Sequence, residues 1–409
     1  MLKWTSILFA MSLLISQTAM DVTASLLVFT VLWMGWKWRS SQGASHRVIN
    51  SIGFDWLLPI WIAVVALGFV LNWNSESAWA FRLLEFKWLI CLYGLIAALK
   101  YLHPNEAVVR PAVAVFIGCC LYSILVFYIG VDPFRQYEEL SALVGRRAGG
   151  PFSDPMTFAH VYGPVLMIFT GLLLTYLRWK DPIRWWVLAA AVIGLWAVAL
   201  SGTRGVWISV SVGLLAMAFL FSVRWGLAVL LAGMIFMGLT YATFPSVRER
   251  ISITMDRQKG YDSERLYIWQ AHLEIFKRRP LLGVGYGETK KLLPEVYQQI
   301  GAPENTLQGH AHNQYLYFLA GTGVVGLTVY IGFLFALLFL NWKILKSVSS
   351  RNIFHQGLAL GTMGSQVAFA VGGLTECNFE HSKVKYAMII VWAIVIWLAY
   401  EYRVLKENL

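Results

Sequence analysis

Long apolar runs, broken only by short polar segments, fill most of this chain and leave it few possible folds. The runs show neither the alternation of a half-buried strand nor the polar stripe of a soluble helix. In hydrocarbon every backbone N–H and C=O must be bonded within its own segment, and a helix of about 20 apolar residues does this. Composition agrees: 58% of residues are hydrophobic and 13% charged, about half the charged share of a soluble domain. The 19 tryptophans suit aromatic belts at two interfaces. The expected fold is all-α and polytopic, one integral-membrane unit over 1–409 with about 12 transmembrane helices. The runs place them near 4–20, 22–38, 53–73, 83–102, 110–131, 157–178, 184–202, 204–222, 225–243, 313–340, 354–374 and 384–402.

The first run, behind Lys3 and ahead of Thr18 and Ala19, has the outline of a signal peptide. A second run follows at once, so the pair reads as a retained helical hairpin. Cys91, Cys119 and Cys120 lie inside apolar runs and Cys377 stands apart, so no disulfide framework is expected. The net charge of +11 is scattered over short loops and forms no duplex-sized surface, which argues against nucleic acid.

Charge also orients the chain. With the N-terminus inside, the inner segments hold Lys3, Lys37, Arg39, Arg47, Lys100, Arg110, Arg178, Lys180, Arg184, Arg224, Lys343, Lys346, Arg351, Arg403 and Lys406. Their acids are only Glu106, Asp181, Glu401 and Glu407. Positive-inside topology therefore puts both termini in the cytoplasm. Two outer segments then exceed what a connection needs: 132–156 and 244–312, the larger with helical segments over the bundle between spans nine and ten. A helix is readable over 262–276, capped by Asp262 or Ser263 and closed before Pro280, with Leu266, Trp269, Leu273 and Phe276 on one face.

Three outer-face features carry candidate chemistry. In the tight turn Ser201-Gly202-Thr203-Arg204-Gly205, Arg204 reads either as an interfacial anchor or as a bidentate phosphate donor. Arg265 is followed by the basic cluster Lys277, Arg278 and Arg279, itself readable as a solvated face. Gly283-Val284-Gly285-Tyr286-Gly287 then permits close backbone approach. His310-Ala311-His312-Asn313 supplies two histidines before span ten, readable as polar interfacial residues, a proton acceptor, or metal ligands with His381 or Cys377.

No Asp-x-Asp pair, Walker loop or Gly-x-Ser-x-Gly elbow occurs. Charges are nearly absent from the spans; Glu85 and Lys87, with Arg82 available to Glu85, are the exception. Midplane charges are what transporters keep, so a transporter is disfavoured.

His312-Asn313 with Gly323-Val324-Val325-Gly326-Leu327, Ser-Gly-Thr-Arg-Gly at 201–205, and Arg265…Trp269 running into Pro280…Gly287 together resemble the O-antigen ligase and polymerase superfamily. So does Arg147-Ala-Gly-Gly-Pro-Phe152 followed by Asp154-Pro155 and Phe158-Ala159. The resemblance implies a periplasmic-face glycosyltransferase of the inner membrane that uses no metal, ATP or other cofactor. Its donor would be a glycan on undecaprenyl diphosphate, and its acceptor in the ligase branch a sugar hydroxyl of lipid A–core. No obligate protein partner is implied. By position, His312 would be the general base and Arg204 and Arg265 the diphosphate ligands. Arg147, His160, His310 and Asn313 are further candidates for substrate binding, and Arg146 for anionic groups. Gly323 and Gly326 read as packing positions. The polymerase and the protein O-oligosaccharyltransferase are the alternatives within the superfamily, the latter disfavoured by the short tail from Arg403 to Leu409. A lipid-linked oligosaccharide flippase is the alternative outside it.

Overall fold

The computed structural model describes residues 1–41, 62–63, 66, 87–130, 132, 147–152, 154–243, 261–303, 309–348 and 352–405. Apart from 62–63 and 66, the span expected at 53–73 lies outside these residues, as do Arg47, Arg82, Glu85, Arg146, Arg351, Lys406 and Glu407. Among them the structure is helical, with no strand. In chain order the helices are α1 (Leu2–Ile15), α2 (Gln17–Ser41), α3 (Lys87–Leu102), α4 (Val109–Ile129), α5 (Pro155–Trp179), α6 (Arg184–Leu200), α7 (Arg204–Phe221), α8 (Val223–Thr243), α9 (Tyr261–Arg278), α10 (Thr289–Gln299), α11 (Gln314–Ser347), α12 (Ile353–Gly372) and α13 (Ser382–Glu401). Among the described residues five helical segments, Glu106–Ile129, α5, α7, α11 and α13, are long and apolar enough to cross a membrane, and shorter apolar helices accompany them. Trp185, Trp196, Leu227, Leu231 and Phe335 point outward from the bundle, an apolar exterior that only a membrane would cover. Asp21 of α2 and Lys87 of α3 pair at 3.7 Å. All four cysteines are free.

Helices α5, α12 and α13 form the buried centre. Small residues let α5 and α12 approach backbone to backbone: a Cβ on Gly171 would sit 2.6 Å from Gly361 Cα. Ser365 Oγ donates to Pro164 O across the same seam, at 2.7 Å. Asp154 starts α5 by accepting from Met156 N and Thr157 N, with Pro155 in the first turn, where its missing N–H costs nothing. The starts of α5, α7, α11 and α13 and the end of α12 meet at one end of the bundle, and the candidate site is built there.

Helix α11 breaks at Gly323, whose φ of 66° and ψ of −170° are not helical. In a continuous helix Val324 N and Val325 N would bond the carbonyls of Ala320 and Gly321. The segment 280–285 splits that ladder instead. Val324 N donates to Pro280 O at 2.9 Å and Val325 N to Leu281 O at 3.2 Å. Ala320 O and Gly321 O accept from Val284 N and Gly285 N at 3.2 and 2.9 Å. Two glycine-rich motifs far apart in sequence are thus one interlocked backbone unit, with every opened hydrogen bond re-satisfied. The run expected to be a single span is a short helical segment before Gly323 and a longer one after it.

The face of α9 with Leu266, Trp269, Leu273 and Phe276 could by sequence lie on the membrane or against the bundle, and the helix buries a different set of residues. Ile268, Ala271, His272 and Ile275 are buried, packing with Val284, Leu293 and Val296. Leu266 and Leu273 are exposed. Apolar residues occupy both faces, so periodicity alone could not choose between them.

Gly323→Ala is expected to destabilise the protein by about 1–3 kcal/mol or more. Its Cβ would overlap the Leu281 carbonyl at a left-handed φ, whereas a Cβ on Gly118 meets nothing within 4 Å. Thermal unfolding in detergent checks this: Gly323→Ala should melt well below wild type, Gly118→Ala beside it, and equal midpoints for all three would contradict the interlock.

Candidate functional site

His312 immediately precedes α11, in a left-handed backbone conformation with φ 44°. Such a φ is strained for a residue with a Cβ and is held only by its surroundings. Those surroundings are specific. Asn313 Oδ1 caps α11 by accepting from Leu316 N at 3.0 Å. Gln314 N donates to Gly373 O at 2.7 Å and Gln314 Oε1 accepts from Phe379 N at 2.7 Å, fastening the helix start to the 373–381 loop. Trp269 Nε1 of α9 donates to Ala311 O at 3.0 Å.

The 373–381 loop supplies the partner of His312. Glu376 is buried, and its Oε2 lies 2.9 Å from His312 Nδ1. Its Oε1 accepts from Cys377 N at 3.0 Å. Burial alone would raise the Glu376 carboxyl. The hydrogen bond and charge of His312, with the Cys377 amide and His310, outweigh burial and hold the group down at about 2. An ionised carboxylate can only accept, so His312 donates from Nδ1–H, which in a neutral imidazole makes Nε2 the basic nitrogen. An acid thus fixes the tautomer and leaves the other nitrogen able to take a proton.

Other histidines surround this pair. The His310 ring lies 4.3 Å from that of His312, and its Nδ1 is 3.8 Å from Glu376 Oε1, beyond hydrogen-bond range. Burial, with His312, His381 and Lys290 and against Glu376, holds His310 below its ordinary range. His381 is lowered too, chiefly by burial. His272 on α9 is fully buried; Nδ1 lies 2.8 Å from Ile268 O and Nε2 has no partner among the described residues. Burial depresses it to about 4, so it is neutral. His160 of α5 faces Gly372 and is close enough to Glu376 and His381 to feel their charge.

The arginines divide by environment. Arg204 is exposed as the first residue of α7, whose N-terminus itself favours an anion. The next residue, Gly205, lies so close to Thr375 that a Cβ would overlap its hydroxyl. Arg204 is therefore carried next to the loop that holds Glu376. Arg265 is half-buried one turn before Trp269, and its buried Nε finds no acceptor among the described residues. Arg147 is differently employed, bonding Ser201 O and Thr203 Oγ1 at 2.7 and 3.0 Å. Of the basic cluster, Lys277 pairs with Glu274 at 2.7 Å and Arg278 with Glu295 at 2.9 Å.

Ligand atoms of His310, His312 and Glu376, one from each, lie within 4.8 Å of one another, near enough to hold a metal ion. The 2.9 Å contact is equally that of a charge-assisted hydrogen bond. Residues 189–331 match the family model described as O-antigen ligase. Over that stretch the chain is similar to the O-antigen ligase family. Among curated proteins, none matches it. The matched stretch of this O-antigen ligase-like chain carries Arg204, Arg265, His310, His312 and both halves of the glycine interlock. It stops short of Glu376, which the sequence left unmarked: a glutamate 64 residues from His312 has no spacing that announces a partner. The one available signal was a pair of acids, Glu376 and Glu380, in an otherwise short connection. Tyr286 of the glycine loop donates to Glu380, so this connection also latches the α9–α10 region.

A depressed carboxyl contributes stability above its unfolded value of 4.5 and loses it as pH falls toward about 2. Glu376→Gln should therefore lower the unfolding midpoint most at neutral pH, with the gap to wild type closing as pH drops below 4.5. A gap independent of pH would contradict the ionised pairing.

Proposed function

We propose that this protein is an O-antigen ligase, which moves a glycan from undecaprenyl diphosphate to a sugar hydroxyl of lipid A–core at the periplasmic face of the inner membrane. The observation that carries this reading is the buried His312–Glu376 pair, in which the carboxylate engages Nδ1 and so makes Nε2 the basic nitrogen of the imidazole. The acceptor hydroxyl approaches the anomeric carbon opposite the diphosphate. As the new C–O bond forms, the hydroxyl proton passes to His312 Nε2 and the C–O bond to diphosphate breaks, inverting the anomeric centre. Glu376 stabilises the imidazolium that results. Arg204 and Arg265 meet the negative charge that grows on the leaving diphosphate. The buried Nε of Arg265, with no acceptor among the described residues, is a donor suited to a diphosphate oxygen. Because a diphosphate leaves readily, positioning and charge neutralisation suffice and neither metal nor ATP is required.

The sidedness rests on charge: the basic residues Lys100, Arg110, Arg178, Lys180, Arg184, Lys343 and Arg403 fall at the helix ends away from the site. In this reading the twelve spans form one unit and α9 and α10 cover the cleft. His310, His160 and Asn313 line or support the site, Asn313 as a cap.

Purified protein with undecaprenyl-diphosphate glycan and lipid A–core, in EDTA without nucleotide, is expected to transfer glycan to lipid A–core. His312→Ala should lose about 10²–10⁴ in rate, and Arg204→Ala and Arg265→Ala should each fall substantially. Extension of the lipid-linked glycan instead would make the protein a polymerase, and loss of transfer on chelation would restore the metal reading of His310, His312 and Glu376. If intact wild type used neither acceptor, the enzyme reading would fall.

A further inference from the structure

The reading of Arg204 as a leaving-group ligand leaves open what holds it in place. Exposed arginines have long, mobile side chains, and a ligand for a transition-state charge must be pre-aimed. Here the backbone that launches Arg204 is tied down from one side. The Ser201–Thr203 turn joins α6 to α7. Arg147 Nε donates to Ser201 O at 2.7 Å, and a terminal nitrogen of the same guanidinium donates to Thr203 Oγ1 at 3.0 Å. The next amide, Ala148 N, donates to Leu200 O at 3.0 Å. Between the two acceptors, Gly202 has φ +66°, and a Cβ there would press on Arg147 Nε at 3.2 Å.

Thr203 shows what this clamp displaces. It is the N-cap residue of α7, yet its side chain makes no capping bond. Its hydroxyl accepts from Arg147 instead. A local stabiliser of the helix start has been exchanged for a contact that fixes the turn to the 147–152 segment. Beyond Arg204, Gly205 abuts Thr375, the neighbour of Glu376. Arg147, the turn, Arg204 and the His312–Glu376 loop are consecutive members of one packed series.

We propose that Arg147 is a positioning residue: it acts on the diphosphate through Arg204, by clamping the turn that aims it, and not by binding substrate itself. The proposal rests on the reading of Arg204 above. Lysine cannot replace it, since one ammonium does not offer the planar fork that reaches a carbonyl and a hydroxyl two residues apart.

The test is a double-mutant cycle in the full-length protein, with glycan transfer as readout and thermal unfolding as control for folding. Arg147→Ala should lower kcat/KM about 10²-fold, Arg147→Lys should recover little, and Thr203→Val should reproduce part of the loss while keeping the side-chain shape. In an Arg204→Ala background, Arg147→Ala should add almost nothing. Full additivity with Arg204→Ala impaired would overturn the proposal alone, by making Arg147 an independent ligand. Wild-type activity in Arg204→Ala would overturn the reading of Arg204 and this proposal with it. Should Arg147→Ala fail to fold, Thr203→Val and Arg147→Lys carry the cycle: wild-type rates in both would overturn it.

Discussion

The buried hydrogen bond from His312 Nδ1–H to the Glu376 carboxylate is the contact on which the rest of the site depends. An isolated carboxylate in this position would be driven toward its neutral form by desolvation. With His312, the Cys377 amide and His310 around it, it stays ionised, and an ionised acceptor dictates which histidine nitrogen carries the proton. The same bond joins the start of α11 to the connection between α12 and α13, 64 residues away in sequence. Structure and chemistry share one contact: losing it would free both the tautomer and the loop.

That contact needs α11 to begin at the right height, and the Gly323 break sets it. The opened ladder is filled by the 280–285 segment, so α9 and α10 are attached to the membrane bundle through main-chain bonds that no side-chain change can remove directly. Trp269 to Ala311 and Tyr286 to Glu380 then fasten α9 and the glycine loop to the two segments that carry His312 and Glu376. The strained φ of His312 is sustained by this frame.

Much of the helical layout was legible because apolar run length translates directly into helix length. The proximity of His310 and His312 was legible as a local motif. What sequence could not show was anything that depends on a distant neighbour. Glu376 meets His312 only through the fold. The glycines at 283 and 323 advertised close packing but not that their segments exchange backbone bonds. Nor could sequence show that Asn313, a ligand candidate by residue type, caps α11, or that Arg147 bonds the Ser201–Thr203 turn. In α9, apolar residues on both faces hid which one packs inward, and His272 was invisible for the same reason.

The most direct measurement is a structure of the full-length protein with an undecaprenyl-diphosphate-linked glycan bound. The account predicts the diphosphate between Arg204 and Arg265, with the anomeric carbon placed so that an attacking hydroxyl lies within hydrogen-bond reach of His312 Nε2. A diphosphate held elsewhere, or His312 Nε2 turned away from the anomeric carbon with Glu376 still on Nδ1, would contradict it.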